Sequence, residues 1–106
     1  MKNVVRLLMA VLVIALASST LALGQAGADT YKSRCAMCHG PDGKGDTAMG
    51  KKFGLKDLGS AEVQGMSDAD LNGIITKGKD KMPEYGSKLS KEQIDDLVKF
   101  IRSLKK

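Results

Sequence analysis

The 106-residue chain has no tryptophan and only two phenylalanines and two tyrosines, so a hydrophobic interior has little aromatic bulk to draw on. It has a single histidine, His39, and a single pair of cysteines, Cys35 and Cys38. That scarcity excludes several chemistries. A structural zinc site needs four ligands, and no further Cys or His exists to complete one. A thioredoxin-like centre sits in a strand-rich βαβ setting, and this sequence has hardly any β-branched alternation. With one histidine there is no spare distal acid-base group, so peroxidase chemistry is poorly equipped. The net charge of +5 comes without a basic helix interleaved with aromatics, and nucleic-acid binding is not expected. The glycine-rich stretch from Asp42 to Asp46 lacks the Gly-Lys-Ser/Thr ending of a phosphate loop and reads as a turn.

Acidic residues are absent before Asp29, and Lys2 and Arg6 are the only charges in that stretch. The apolar run Leu7 to Ala17 is broken by Ser18-Ser19-Thr20, short of the ~20 apolar residues a spanning helix needs. Residues 1–24 therefore read as a secretory signal peptide, with cleavage after Ala22 or Gly24. The expectation is an exported, periplasmic or similarly located, soluble protein with no permanent membrane insertion. No cysteine lies near the end of the segment to take a lipid. Removing Lys2 and Arg6 takes the charge from +5 to +3. The remaining domain, residues 25–106, is marginal for an ordinary core, and domains of that size usually need a staple such as disulfides or a metal group.

The staple is suggested by Cys35-Ala36-Met37-Cys38-His39. One helical turn sets two thiols under adjacent edges of a porphyrin, where each can add to a vinyl group. The next residue, His39, is then held beneath the iron. Cys-x-x-Cys-His is a strong signal for one covalent haem c, with His39 as the proximal iron ligand. A haem would also provide the apolar bulk that the aromatics do not.

Haem iron in electron-transfer proteins is usually six-coordinate, and a methionine opposite histidine raises the reduction potential. Met37 lies inside the motif, Met49 is close in sequence to His39, and Met66 at a helix entry reads as core packing. Met82 sits in the loop Gly78 to Gly86. There Pro83 biases Met82 toward extended backbone, and glycines allow bends at either end. Met82 is the expected distal ligand.

Three helical stretches can be read. Thr30 to Cys38 carries the motif and stops at Gly40-Pro41. Ser67 caps a second helix with Leu71, Ile74 and Ile75 on one face. Ser90-Lys91-Glu92-Gln93 is a capping box opening a third, in which Ile94, Leu97, Val98, Ile101 and Leu104 recur at helical spacing with Phe100 at the edge. Asp95, Lys99 and Arg102 on the opposite face read as plain solvated surface. Residues 47–65 are weakly patterned, with a short helix near Ser60–Val63.

With these pieces in place the chain resembles the class I c-type cytochromes, specifically the small bacterial monohaem ones. The resemblance covers roughly residues 25–104 and rests on Cys35 to Gly40, Lys81-Met82-Pro83 and Leu97 to Ile101. It implies an all-α fold of about three to four helices around one covalent haem, with N- and C-terminal helices crossing. Gly27 and Phe100 fall where the family places the glycine and the aromatic of that crossing, and Tyr31 where a second aromatic packs. A cut after Ala28, the best match to the cleavage pattern alone, would delete Gly27, which is why the earlier points are preferred. The family usually has a loop carbonyl, often a proline's, accepting from the proximal histidine; Pro41 is too near His39 to assign.

The expected function is electron carriage through one haem with His/Met ligation, and not catalysis. The partners would be a reductase and a terminal oxidase or reductase with acidic docking surfaces, met by Lys44, Lys51, Lys52, Lys56, Lys79, Lys81 and Lys88. A haem protein with an open or labile sixth site, acting as a small-ligand sensor or enzyme, is the alternative, and a thiol-disulfide protein a third.

Overall fold

A computed structural model describes residues 25–106; the expected signal peptide, residues 1–24, and its expected cleavage after Ala22 or Gly24 lie outside the described residues. Six helices follow in order: α1 (residues 25–34), α2 (Ala36–His39), α3 (Ala48–Phe53), α4 (Ala61–Gln64), α5 (Asp68–Lys77) and α6 (Lys91–Ser103). Among the described residues the one extended feature is an isolated antiparallel bridge between Lys79 and Met82. The fold is all-α, as expected, with the count raised by short elements.

α6 is the spine. Ser90 and Gln93 form the capping box, each side chain accepting from the other's backbone N–H. Ile94, Leu97, Val98 and Ile101 are its buried face, and Leu97 is the most enclosed side chain at 1 % exposure. Leu71 and Ile75 of α5 join this core, and the Asn72 amide donates to Asp95 Oδ1 at 2.9 Å along the same contact.

α1 crosses α6 at Gly27. A Cβ there would stand 2.7 Å from the Asp96 carbonyl oxygen, so only glycine lets the two backbones approach this closely. One turn on, Tyr31 is 2 % exposed and its ring lies 4.6 Å from that of Phe100, tilted by 35°. Four residues of aromatic are few, and two of them are spent on this crossing.

Arg102 departs from the solvated role expected of it. Its guanidinium donates to Asp68 Oδ1 at 2.9 Å, to the Gln64 carbonyl at 2.8 Å and to the Met66 carbonyl at 2.5 Å. The fork thus satisfies carbonyls left over at the end of α4 while holding the entry to α5 against α6. Asp95, through Asn72, is likewise engaged.

The segment 47–65 is more ordered than its pattern suggests. Thr47 caps α3, accepting from Gly50 N–H at 2.8 Å, and its hydroxyl donates to the Cys38 carbonyl at 2.6 Å. A side chain on Gly50 would collide with the Gly45 and Cys38 carbonyls. The short helix expected near Ser60–Val63 is α4, capped by Ser60.

Candidate functional site

α1 is interrupted at Cys35. The N–H groups of Cys38 and His39 both turn back to the Cys35 carbonyl, at 3.2 and 2.9 Å, and α2 ends at Gly40 with φ +86°. This turn carries both thiols and the imidazole. Tyr31 fixes its far end, its phenol donating to the buried Gly40 carbonyl at 2.6 Å. Thr47 fixes its middle through the Cys38 carbonyl.

Cys35, Cys38 and His39 form one wall of a cavity of about 380 Å³. Leu58, Val63, Leu71, Ile75, Leu97 and Ile101 give it an apolar interior, and Met82 and Pro83 lie on its lining as well. The four residues singled out from the sequence are therefore brought together, although Met82 is 43 positions from His39. Met37 points outward at 81 % exposure, and Met49 is 38 % exposed. Met66 lines the cavity while packing on the core.

Cys35 and Cys38 are not paired in a disulfide, and burial first, then the neighbouring Cys38, push the Cys35 thiol up to about 11. A thiol so protonated at neutral pH is a poor nucleophile for disulfide exchange. Burial also holds the His39 imidazole below its usual pKa, which keeps it neutral and able to act as a ligand. Its Nδ1 is enclosed and has no hydrogen-bond partner among the described residues. Pro41 is exposed, and its carbonyl makes no hydrogen bond to Nδ1.

The Met82 loop is built by close backbone fits. Gly78 has φ +78°, and a Cβ there would come within 2.7 Å of the Met82 carbonyl oxygen. Lys79 and Met82 exchange hydrogen bonds at 3.1 and 2.9 Å across a tight turn whose first central residue, Asp80, has φ +53°. Asp is one of the few residues that tolerate this region. The loop then returns to α5 through Tyr85 N–H to the Ile75 carbonyl and Gly86 N–H to the Thr76 carbonyl, both at 3.0 Å. Gly86 serves this close approach, since a Cβ there would lie 2.9 Å from Thr76 Cγ2.

Of the seven lysines expected to frame the site, Lys56, Lys79 and Lys81 are on the cavity lining, joined by Arg34, which the sequence did not single out. Lys56 is paired with Glu62 at 2.6 Å and Lys44 faces Asp42 at 3.9 Å. Lys52 and Lys88 stand over the rings of Phe53 and Tyr85. Lys79, Lys81 and Arg34 thus line the cavity and take no part in the ion pairs among the described residues.

The donor set fits a covalently attached haem: two thiols and a buried imidazole on one helical turn, and a thioether on the lining of the same apolar cavity. The comparisons with known proteins agree. Residues 22–101 match the family described as cytochrome c oxidase, cbb3-type, subunit III. Cytochrome c6 of a Synechococcus strain is 33 % identical over 76 residues, 71 % of this chain and 64 % of that protein. The cbb3-type cytochrome c oxidase subunit CcoP of Rubrivivax gelatinosus is 41 % identical over 71 residues, covering 66 % of this chain and 22 % of its own. Among solved structures, the KustC0563 c-type cytochrome superposes with a TM-score of 0.71 at 33 % identity, over 76 % of this chain and 98 % of that one. The chain belongs to this cytochrome c family, as a small class I c-type cytochrome carrying one covalently bound haem c. It spans under two thirds of the first of these curated relatives and about a fifth of the second.

Proposed function

We propose that this protein is a single-electron carrier in which Cys35 and Cys38 anchor the haem and His39 and Met82 ligate its iron from opposite sides. The observation that carries this reading is the convergence of those four side chains on one apolar cavity. The bound haem iron supplies reversible one-electron chemistry. Everything else is the work of this chain's residues. The thioether links keep His39 at effectively fixed local concentration. The apolar lining excludes water and disfavours the more highly charged oxidised state, and a Met ligand acts in the same direction, toward a high potential.

Arg34, Lys79 and Lys81 beside the mouth suit brief docking to acidic redox partners, with association that weakens as salt rises. The similarity to both a small cytochrome c6 and a domain of oxidase subunits supports a reductase on one side and a terminal oxidase or reductase on the other. Export through the leader at residues 1–24 puts the carrier in the periplasm or an equivalent compartment. No helix among the described residues is long and apolar enough to cross a membrane.

A potentiometric titration combined with carbon monoxide exposure tests the reading. The carrier gives a single one-electron wave at positive potential, and its ferrous form stays unliganded by carbon monoxide at neutral pH. Rapid carbon monoxide binding by the wild-type protein would instead establish an open sixth site, and with it a sensor or enzyme.

A further inference from the structure

The Tyr85 hydroxyl donates to the carbonyl of Arg34 at 3.1 Å, a bond between residues 51 apart. It joins the last helical residue before the Cys35 interruption to the loop that carries Met82. Tyr85 is otherwise a junction of that loop's backbone. Its N–H goes to Ile75, and its own carbonyl accepts from Lys88 and Leu89 N–H at 3.0 and 2.9 Å. The Lys88 ammonium stands 5.5 Å over its ring. The base of the loop on α5 is therefore held by backbone bonds, whereas the described hydrogen bonds give the loop one side-chain tie to the attachment helix.

From this arrangement we infer that Tyr85 is a positioning residue for the distal ligand, its phenol latching the Met82 loop across the cavity to the helix that holds the haem. The inference rests on Met82 being that ligand. Releasing the latch leaves the Cys35–His39 turn untouched, because its own ties run through Tyr31 and Thr47. The released loop swings out more often, and a small exogenous ligand then reaches the iron. A single neutral hydrogen bond of this exposed kind changes such an opening equilibrium by roughly fivefold.

The test compares wild-type and Tyr85→Phe ferric holoprotein, titrated with imidazole at fixed pH. Tyr85→Phe keeps the ring and its packing while removing only the hydroxyl. Imidazole affinity is expected to rise roughly fivefold, with the covalent haem retained. Amide exchange at Lys79 and Met82 in the ferrous protein provides a second readout and is expected to quicken by a similar factor. If the wild-type protein shows the far-red Met-to-iron absorption band and both readouts are unchanged in Tyr85→Phe, the latch is wrong and the ligand assignment stands. A fall in thermal stability alone, with imidazole affinity and exchange unmoved, also overturns it, since that is all a purely structural tyrosine would show. A wild-type protein without the band would remove the ligand assignment and the latch together.

Discussion

The two sides of the cavity are made in different ways. The wall bearing Cys35, Cys38 and His39 is a helical turn whose three functional residues are neighbours in sequence, clamped by Tyr31 at Gly40 and by Thr47 at Cys38. The wall bearing Met82 is a loop, with a left-handed Asp80 at its turn and glycines at both ends. One side is a helical turn tied by two buried or half-buried side-chain bonds; the other is tied to α5 by backbone bonds and to α1 by one side-chain bond between residues 51 apart. A redox protein gains from that asymmetry. On the proposed ligation, the anchored side keeps the cofactor, and the looped side sets the coordination number and hence the potential.

The largest effect expected on either side comes from breaking the anchor. Cys38→Ser removes one of the two proposed attachments, and His39→Ala the proposed proximal ligand. Each is expected to yield mostly haem-free, poorly folded protein, because a domain of this size has little core without its cofactor. Haem staining after denaturing electrophoresis together with far-ultraviolet circular dichroism checks this.

Next in size is the helix crossing that closes the anchored side. Gly27→Val drives a side chain into the Asp96 backbone, where a Cβ already stands at 2.7 Å. A loss of about 3 kcal/mol is expected from overpacking against a carbonyl that cannot yield. Denaturant unfolding of the holoprotein measures it.

Tyr31→Phe is smaller. It deletes the 2.6 Å bond to the buried Gly40 carbonyl but keeps the stacking on Phe100. That carbonyl still accepts from the Gly43 N–H at 3.1 Å, so the loss is expected to be that of one hydrogen bond, about 1 kcal/mol. The same measurement should show the loss with the ligation spectrum unchanged, which separates the anchored side from the looped one.

The smallest effect lies away from both walls. Asp57 is held below the usual carboxylate range first by the hydrogen bond from Lys106, then by the Gly59 N–H. A depressed folded pKa means the stabilisation is present above the unfolded value of about 3.9 and is lost as pH falls through the folded one. Asp57→Asn should therefore lower the Tm slightly at neutral pH, and the difference from wild type should close below that range. A Tm series against pH checks it.

How far the sequence carries follows the same division. Cys35 to His39 and the capping box at Ser90 and Gln93 are legible because each is a short pattern with one geometric use, whereas the Gly27–Phe100 crossing is reached only through the family resemblance. Met82 could be singled out from Pro83 and the flanking glycines, but the way its loop is held could not. The Tyr85–Arg34 bond joins residues with no shared periodicity, and Arg102 reads as an exposed face until Gln64 and Met66 present their carbonyls to it. α3 is hidden for a related reason: Thr47 caps it, but the helix is too short for an apolar stripe. Which of the seven lysines has an acidic neighbour is not legible either, because formal charge says nothing of pairing: Lys44 and Lys56 have one.

The assignment of Met82 opposite His39 is the step on which carrier function turns, and the absorption spectrum of the oxidised holoprotein tests it most directly. The wild-type protein should show the weak far-red band of a methionine-to-iron bond, and Met82→Ala should lack it while keeping its covalent haem. A band that survives in Met82→Ala, or that is missing from the wild-type protein, would contradict the account.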